Sequence, residues 1–275
     1  MTAFRLKIIA IITMLIDHVS AVFPLTFPLW FRYIGRIAFP VFAYMIAQGS
    51  RHTNNIWKYL LRLGIFALVS EIPFDLAFRD EISFIRDTNI FYTLFLGTAC
   101  IAVYQKLNKK PSASKSNIDP SHERANERTS SSINKLSRVL LAVLLMIPIA
   151  LLGNLLGTDY GTPGVVYILV FYFTKPENRF TRTIAATGIV FHMYGYPIVR
   201  TYMQSGAGGV SASGILRDVA MSVPNYMLGF FLVALVSVLL ILLYNGKQGP
   251  KVKWAFYAFY PLHLAALAAI KHLTI

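Results

Sequence analysis

Long, uninterrupted apolar runs dominate this chain and constrain its fold more than any other feature. About 20 apolar residues carry a helix across the hydrocarbon core of a bilayer. Helices satisfy their own backbone hydrogen bonds in lipid, and continuous rather than alternating runs favour them over a barrel. Only 14% of the 275 residues are charged and 56% are hydrophobic, whereas soluble domains carry about 25% charged residues. The sequence therefore predicts an all-α, polytopic integral membrane bundle.

Nine runs are candidate transmembrane helices, and they belong to one domain over residues 1–275. They lie at about 4–23, 30–50, 57–78, 89–105, 136–153, 162–174, 183–202, 223–244 and 254–272. The sixth run is short, so a tilted span, a start nearer Asp159 and a re-entrant piece all stay open. The stretch at about 107–136 is polar, Ser-rich and basic, which predicts a flexible cytoplasmic loop.

Positive charge alternates from one loop to the next. Loops after even-numbered spans are basic, and the stretch from Lys106 to Arg138 has eight basic and three acidic residues. Loops after odd-numbered spans have no such excess. This positive-inside pattern predicts a cytoplasmic N-terminus and a C-terminus outside. The net charge of +14 is thus mostly topological, and we expect membrane lipids rather than nucleic acid as its partner.

Polar side chains interrupt several of the runs at a similar predicted depth. Asp17 and His18 stand together in the first run, at a place where charge is costly. The polar residues expected near the same depth on other spans are Arg32, Arg36, Glu71, Asp75, Asn89, His192 and His263. Charged groups inside a membrane face a cavity or one another. The pattern therefore predicts one polar layer built from several helices.

Most of these residues also have a purely structural interpretation. Arg32 and Arg36 can reach the outer headgroups by snorkelling. Glu71 and Asp75, one helical turn apart, can pair with those arginines as structural ion pairs. For His192 we favour a hydrogen-bonded packing histidine.

His18 is the hardest of these side chains to explain by structure alone. A neutral imidazole is the natural proton acceptor near pH 7. Neighbouring helix residues point about 100° apart, so Asp17 is not placed to orient His18 as in a catalytic triad. We therefore expect His18 to be functional.

Five segments in order along the chain resemble the TraX family, which is named for an inner-membrane protein that N-acetylates conjugative pilin. They read IIAIITMLIDHVSAVF, RYIGRIAFPVFAYMIAQG, EIPFD, NIFYTLFLG and KWAFYAFYPLHLAALAAIK. The resemblance covers most of the chain and is interrupted by the basic loop. Lys7 and His18 also have the spacing of an Arg-x10-His pattern in membrane acyltransferases that modify surface sugars, with Lys in place of Arg.

The resemblance implies a multi-pass protein of the bacterial plasma membrane that transfers an acyl group from cytosolic acetyl-CoA or another acyl-CoA. The acceptor can be a peptide, a glycan, a lipid or a small metabolite. The expected catalytic residues are His18, Asp17, Glu71, Asp75 and His263, and those expected to bind the substrate or acyl-CoA are Lys7, Arg32, Arg36, Asn89, His192 and Tyr260. His18 would deprotonate the acceptor or carry the acyl group, and Arg36 would polarise the carbonyl. No zinc-ligand spacing occurs, so no metal is expected.

Two other functions fit the same residues. Intramembrane Asp, Glu and His are also used by proton relays, so a proton-coupled transporter or channel is one alternative. Nine spans do not divide evenly into inverted repeats, which argues against it. A non-enzymatic factor in the assembly of a surface structure is the other.

Overall fold

The computed structural model describes residues 1–79, 81–84, 87–108, 124–204, 224–250 and 252–274, and every regular element in these ranges is helical. The helices are α1 (Ala3–Val22), α2 (Trp30–Gly35), α3 (Ala38–His52), α4 (Ile56–Phe78), α5 (Ile90–Asn108), α6 (Arg124–Leu155), α7 (Gly161–Phe173), α8 (Arg179–Val190), a π-helical segment (Phe191–Gly195), α9 (Tyr196–Gln204), α10 (Asn225–Leu242) and α11 (Lys253–Thr274).

Helices lie at all nine predicted spans, and some are apolar enough to cross a bilayer. Ile90–Asn108, Lys135–Leu155 and Asn225–Leu242 have the length and hydropathy of membrane-crossing helices, and Gly161–Phe173 is a shorter apolar helix. The exposed face of α6 carries leucines such as Leu140, Leu144 and Leu151, as expected of a surface that meets lipid. The number of crossings and their orientation stay predictions.

The second predicted span is not one helix but two. Helix α2 ends at Gly35 and α3 begins at Ala38. Pro40 lies in the first turn of α3 and has no N–H to donate to the carbonyl of Arg36, four residues earlier. The break places Arg32 and Arg36 at a joint between two helices rather than along one continuous rod.

A proline also accompanies the irregular turn in the seventh predicted span. Pro197 cannot donate to the carbonyl of Met193, and the chain around that carbonyl, Phe191–Gly195, is π-helical. Such single-turn π segments often occur at functional sites, and this one carries His192.

The predicted loop at 107–136 is partly helical. Helix α6 begins at Arg124, inside that stretch, where Arg, Ala and Glu are good helix formers. The expectation of a loop up to residue 136 is therefore wrong from Arg124 onward, and its part at 109–123 lies outside the described residues.

The helices pack around one large core and a smaller one. Helix α11 lies along α4, α5 packs between α4, α6 and α7, and α1 contacts α2, α3 and α11. Helices α8 and α10 cover the opposite side, next to α2 and α3. The smaller core joins α5, α6 and α7 around Cys100, Met146 and Val165. This packing brings the C-terminal half of α1 against the joint between α2 and α3.

Candidate functional site

A polar cavity of about 250 Å³ lies where the C-terminal half of α1 meets α2, α3, α4 and α11. Its polar wall residues are Asp17, His18, Arg32, Arg36, Asp159, Tyr160 and Tyr260. Helices α1, α2 and α11, the joint between α2 and α3 and the connection between α6 and α7 contribute these side chains. Of the residues predicted to form the polar layer, Asp17, His18, Arg32 and Arg36 line this cavity, together with Tyr260, which was predicted to bind substrate.

One carboxylate anchors both arginines of the cavity. Asp17 Oδ1 lies 3.0 Å from Arg32 Nη1 and 3.0 Å from Arg36 Nη2. Arg32 also donates to the backbone carbonyl of Asp17, and Arg36 Nε donates to the carbonyl of Arg32. The arginines therefore tie α2 to α1 instead of only snorkelling outward. Two cations against one anion leave this corner of the cavity with a net positive charge.

Gly35 makes this ion-pair cluster possible. A Cβ at position 35 would lie 2.3 Å from Asp17 Cγ, a distance that real atoms do not tolerate. Only a residue without a side chain lets the carboxylate sit directly on the last turn of α2. Helix α1 and α2 then approach closely enough for both guanidinium groups to reach Asp17.

His18, on the wall of the polar cavity, forms a hydrogen-bonded pair with His263 of α11, and the pair has a defined direction. His263 Nδ1 lies 2.8 Å from the carbonyl oxygen of Phe259, and His263 Nε2 lies 2.8 Å from His18 Nδ1. A carbonyl only accepts, so Nδ1 of His263 carries its hydrogen and Nε2 of the neutral ring accepts. His18 Nδ1 must then donate. This leaves the lone pair of His18 on Nε2, which has no hydrogen bond with the described residues.

Aromatic side chains surround the pair. The rings of His18 and His263 are nearly parallel, with centres 5.1 Å apart, and the ring of Phe259 lies nearly parallel to that of His263 at 4.8 Å. Phe78 and Tyr260 meet the His18 ring edge to face. The orientation of His18 is thus set by His263 and not by Asp17.

A second cavity, of about 410 Å³, adjoins the polar one. We call it the apolar cavity, since Phe4, Ile11, Phe91, Phe256 and Tyr257 form much of its wall. Its basic wall residues are Lys7, His52, Arg62 and Lys253. They stand near the start of α1, the end of α3, and the starts of α4 and α11, the helix ends for which the charge pattern predicts a cytoplasmic location. Lys7 lies 5.4 Å from the ring centre of Phe256.

The two cavities lie back to back along the bundle. Both are lined by Met14, Phe42, Ile90 and Tyr260. The Tyr260 side chain is 3% exposed, and its hydroxyl has no hydrogen-bond partner in the described part of the chain. A buried hydroxyl without a partner is costly, so Tyr260 is a candidate for a ligand contact at the boundary.

Asp159 lines the polar cavity although no pattern in the sequence marks it as a site residue. Its backbone N–H donates to the carbonyl of Thr88, which fixes the α6–α7 connection against the start of α5. Its side chain reaches the cavity and forms no ion pair within the described ranges. Residue 159 is exposed at the surface of the fold, but the protein atoms near its carboxyl remove part of the hydration of that group. They raise the pKa of the carboxyl to about 6, despite the opposing effect of Arg36. Loop residues carry no helical periodicity, which is why only the fold could find it.

Glu71 and Asn89 lie outside both cavities and fasten α4 to the start of α5. Glu71 Oε2 accepts from Asn89 Nδ2 at 2.5 Å and from the Asn89 backbone N–H at 3.2 Å. Asn89 Nδ2 also donates to the carbonyl of Ala67, and Asn89 Oδ1 accepts from the N–H of Phe91. Both side chains are fully buried. Their contacts are those of a helix cap rather than of a binding site.

Asp75 also has a local partner instead of the one expected. It pairs with Arg79 at 3.3 Å, and its second oxygen accepts from the N–H of Ser83 at 2.6 Å. The alternative of ion pairs between Glu71 or Asp75 and Arg32 or Arg36 is therefore wrong. Asp75 fixes the chain that leaves α4.

His192 lies apart from the polar cavity. Its Nδ1 is hydrogen-bonded to the hydroxyl of Tyr167, and its ring is parallel to that of Tyr196 at 6.1 Å. It does not line either of the two cavities. These contacts support the packing interpretation.

Comparison with known proteins gives two matches. The family model described as "TraX protein" matches residues 3–271. A protein of Dichelobacter nodosus, named as probable fimbrial assembly protein FimC of serogroup H1, is 26% identical over 284 residues, which cover 98% of this chain and 96% of that protein. No solved structure matches.

Proposed function

The chain belongs to the TraX family, and from this premise we propose that it is a membrane-embedded acyltransferase that moves an acyl group from acyl-CoA to an acceptor amine or hydroxyl. The observation that carries the proposal is the hydrogen-bonded sequence Phe259 carbonyl, His263, His18. It leaves a basic ring nitrogen, His18 Nε2, at the wall of a polar cavity. Deprotonating a nucleophile is the chemistry to which such a nitrogen is suited.

The two adjoining cavities support separate entry of the two substrates. The apolar cavity, with Lys7, Arg62 and Lys253 on its wall, suits a ligand that combines phosphates with a long neutral arm. We propose that acyl-CoA occupies it with the nucleotide among these cations and the thioester near Tyr260. The acceptor then enters the polar cavity from the other side, past Asp159.

The transfer step uses groups already on the wall. Nε2 of His18 takes the proton of the acceptor N–H or O–H while the acceptor atom attacks the thioester carbonyl. The carbonyl becomes an oxyanion, for which the positive corner around Arg32 and Arg36 and the hydroxyl of Tyr260 are the nearby donors. Collapse re-forms the carbonyl, breaks the C–S bond and releases CoA thiolate, which takes the proton from His18. The acceptor is then acylated, and the enzyme returns to its starting state.

Acetyl-CoA is the simplest donor, and the measurement is direct. Purified protein in detergent is given radiolabelled acetyl-CoA and peptide, glycan or lipid acceptors, and labelled product is counted. We expect transfer by the wild type and its loss in His18→Ala. Solute flux through vesicles without acyl transfer would favour the transporter instead.

The proposal includes a multi-pass arrangement in the bacterial plasma membrane, with about nine spans and the N-terminus in the cytoplasm. The alternating loop charge supports it. A cysteine introduced at Ser116 should resist an impermeant thiol reagent added to intact cells. Cys100 is fully buried and should not interfere. Strong labelling at position 116 would reverse the orientation.

A second candidate function is a non-enzymatic role in the assembly of surface fibres. It is favoured by the name of the Dichelobacter nodosus relative, a probable fimbrial assembly protein. One variant distinguishes the two candidate functions. If His18→Ala abolishes acyl transfer but cells still assemble fibres normally, assembly does not depend on the chemistry.

A further inference from the structure

The apolar cavity contains a buried amide whose hydrogen-bonding capacity the protein does not use. Gln48 lies four residues before the end of α3 and is 4% exposed. Its side chain lines the cavity, and Nε2 has no hydrogen-bond partner in the part of the chain that the structure describes. Burying an amide without a partner is unfavourable. An apolar residue of the same size would be expected here if packing were the only requirement.

Gln105, a half-buried glutamine on α5, has hydrogen-bond partners for its amide. Gln105 Nε2 donates to the carbonyl of Ser50 at 3.0 Å and to the hydroxyl of Tyr172 at 3.1 Å. These bonds join α5 to α3 and α7, and Gln105 lines neither cavity. Gln48 lines the apolar cavity instead, and its Nε2 has no such partner among the described residues.

The surroundings of Gln48 restrict what can fill that void. Arg62 and Tyr260 line the same cavity, and each also has a buried polar atom without a partner among the described residues, Nε and the hydroxyl respectively. Most other wall positions are apolar. The part of a ligand that lies beside Gln48 is therefore expected to be neutral and mostly apolar, with hydrogen-bonding groups at the few polar wall positions.

From these contacts we infer that Gln48 binds an amide of the pantetheine arm of acyl-CoA and so fixes how deeply the thioester reaches toward Tyr260. The inference rests on the proposed function, because it assumes acyl-CoA in the apolar cavity. An amide pairs with an amide through one donor and one acceptor, which is what the Gln48 side chain offers. The pantetheine arm carries two amides between the nucleotide and the sulfur.

The test replaces Gln48 by methionine, which keeps the length and volume and removes the hydrogen bonds. Binding of CoA, pantetheine and adenosine 3′,5′-bisphosphate to the purified full chain is measured by calorimetry. Gln48→Met should weaken CoA and pantetheine binding about 3- to 10-fold, the value of one or two neutral hydrogen bonds. It should leave adenosine 3′,5′-bisphosphate binding unchanged, since that ligand lacks the arm.

Gln105→Met is the matched control, and it should not change CoA affinity. The Tm of the ligand-free protein adds a readout of structure: it should not fall in Gln48→Met, where an unused amide is lost, and should fall in Gln105→Met, where two bonds are lost. CoA binding by Gln48→Met at wild-type affinity would overturn the inference alone, as would an equal loss for adenosine 3′,5′-bisphosphate. No CoA binding by the wild type would overturn the proposed function together with it.

Discussion

Two polar clusters lie among the apolar helices. They differ in how many of their hydrogen-bonding groups have partners within the protein. The cavity cluster consists of Asp17, His18 and His263 with Arg32 and Arg36, and the cap cluster consists of Glu71 and Asn89. In the cap cluster, the amide N–H groups of Asn89 donate to Glu71 and to the carbonyl of Ala67, and the amide oxygen accepts from the N–H of Phe91. In the cavity cluster, His18 Nε2 and several guanidinium N–H groups face open space.

The difference teaches how to interpret a costly residue in an apolar run. A buried charge always needs compensation, and both clusters supply it. What separates them is the capacity left over once the protein's own contacts are counted. The cap cluster retains no free donor on Asn89, and the oxygen that has no partner among the described residues, Glu71 Oε1, is buried away from both cavities. The cap cluster therefore stabilises the junction of α4 and α5. The cavity cluster retains a base and cations beside a cavity of about 250 Å³, so it can bind and react.

His18→Ala tests whether the cavity cluster is the reaction centre. A general base contributes about 10²–10⁴-fold, so acyl transfer should fall by at least that range. The Tm should stay near that of the wild type, because water can replace one imidazole in a polar cavity. Radiolabelled acetyl transfer and thermal unfolding in detergent are measured together. His272→Ala, at the exposed end of α11, is the control, and near-full turnover by His18→Ala would remove the cavity cluster as the reaction centre.

Asn89→Ala tests whether the cap cluster contributes to stability and not to catalysis. The change removes a helix cap and the side-chain donor to Glu71 Oε2, which keeps only the backbone N–H of residue 89, so we expect a loss of about 2–3 kcal/mol in stability. The kcat of the molecules that remain folded should be unchanged, since Asn89 lies outside both cavities. The measurements are the Tm of the variant and its kcat per folded molecule. A fall in kcat at full stability would give the cap cluster a part in catalysis.

His263→Leu tests the orienting contact within the cavity cluster. Groups that orient metal-bound histidines are worth about 10–100-fold in activity, and we expect a loss of the same size in kcat here, with little change in KM. His263→Gln keeps an oxygen that can accept from His18 Nδ1, so it should restore most of the rate. Equal losses in both variants would mean that the packing of the ring matters and the hydrogen bond does not.

The sequence predicts the positions of the helices well, but it predicts poorly which polar side chains pair with one another. Apolar runs locate the spans because lipid imposes length and hydrophobicity on each helix separately. Pairing is different: His18 and His263 are 245 residues apart, and no local pattern links them. Opposite charges are also interchangeable in a sequence, so the sequence allows Arg32 and Arg36 to pair with Glu71 or Asp75, whereas the structure pairs both with Asp17. Gly35 decides between them, because only there can the Asp17 carboxylate reach the turn that carries both arginines.

Asp159→Asn tests the ionisation of Asp159 beside the polar cavity, and its expected effect is the smallest of the four. The pKa of this carboxyl is about 6 in the folded protein and about 3.9 in an unfolded chain. Ionised Asp159 therefore lowers the free energy of unfolding above pH 6, and this penalty disappears below about pH 3, where the carboxyl is protonated in both states. Asparagine cannot ionise, so the variant should have a slightly higher Tm than the wild type at about pH 8 and an equal Tm at about pH 3. Glu177→Gln, an exposed carboxylate between α7 and α8, controls for the loss of one negative charge. If the Tm advantage of Asp159→Asn were the same at both pH values, the cavity would not dehydrate Asp159, and it would resemble open solvent more than a substrate site.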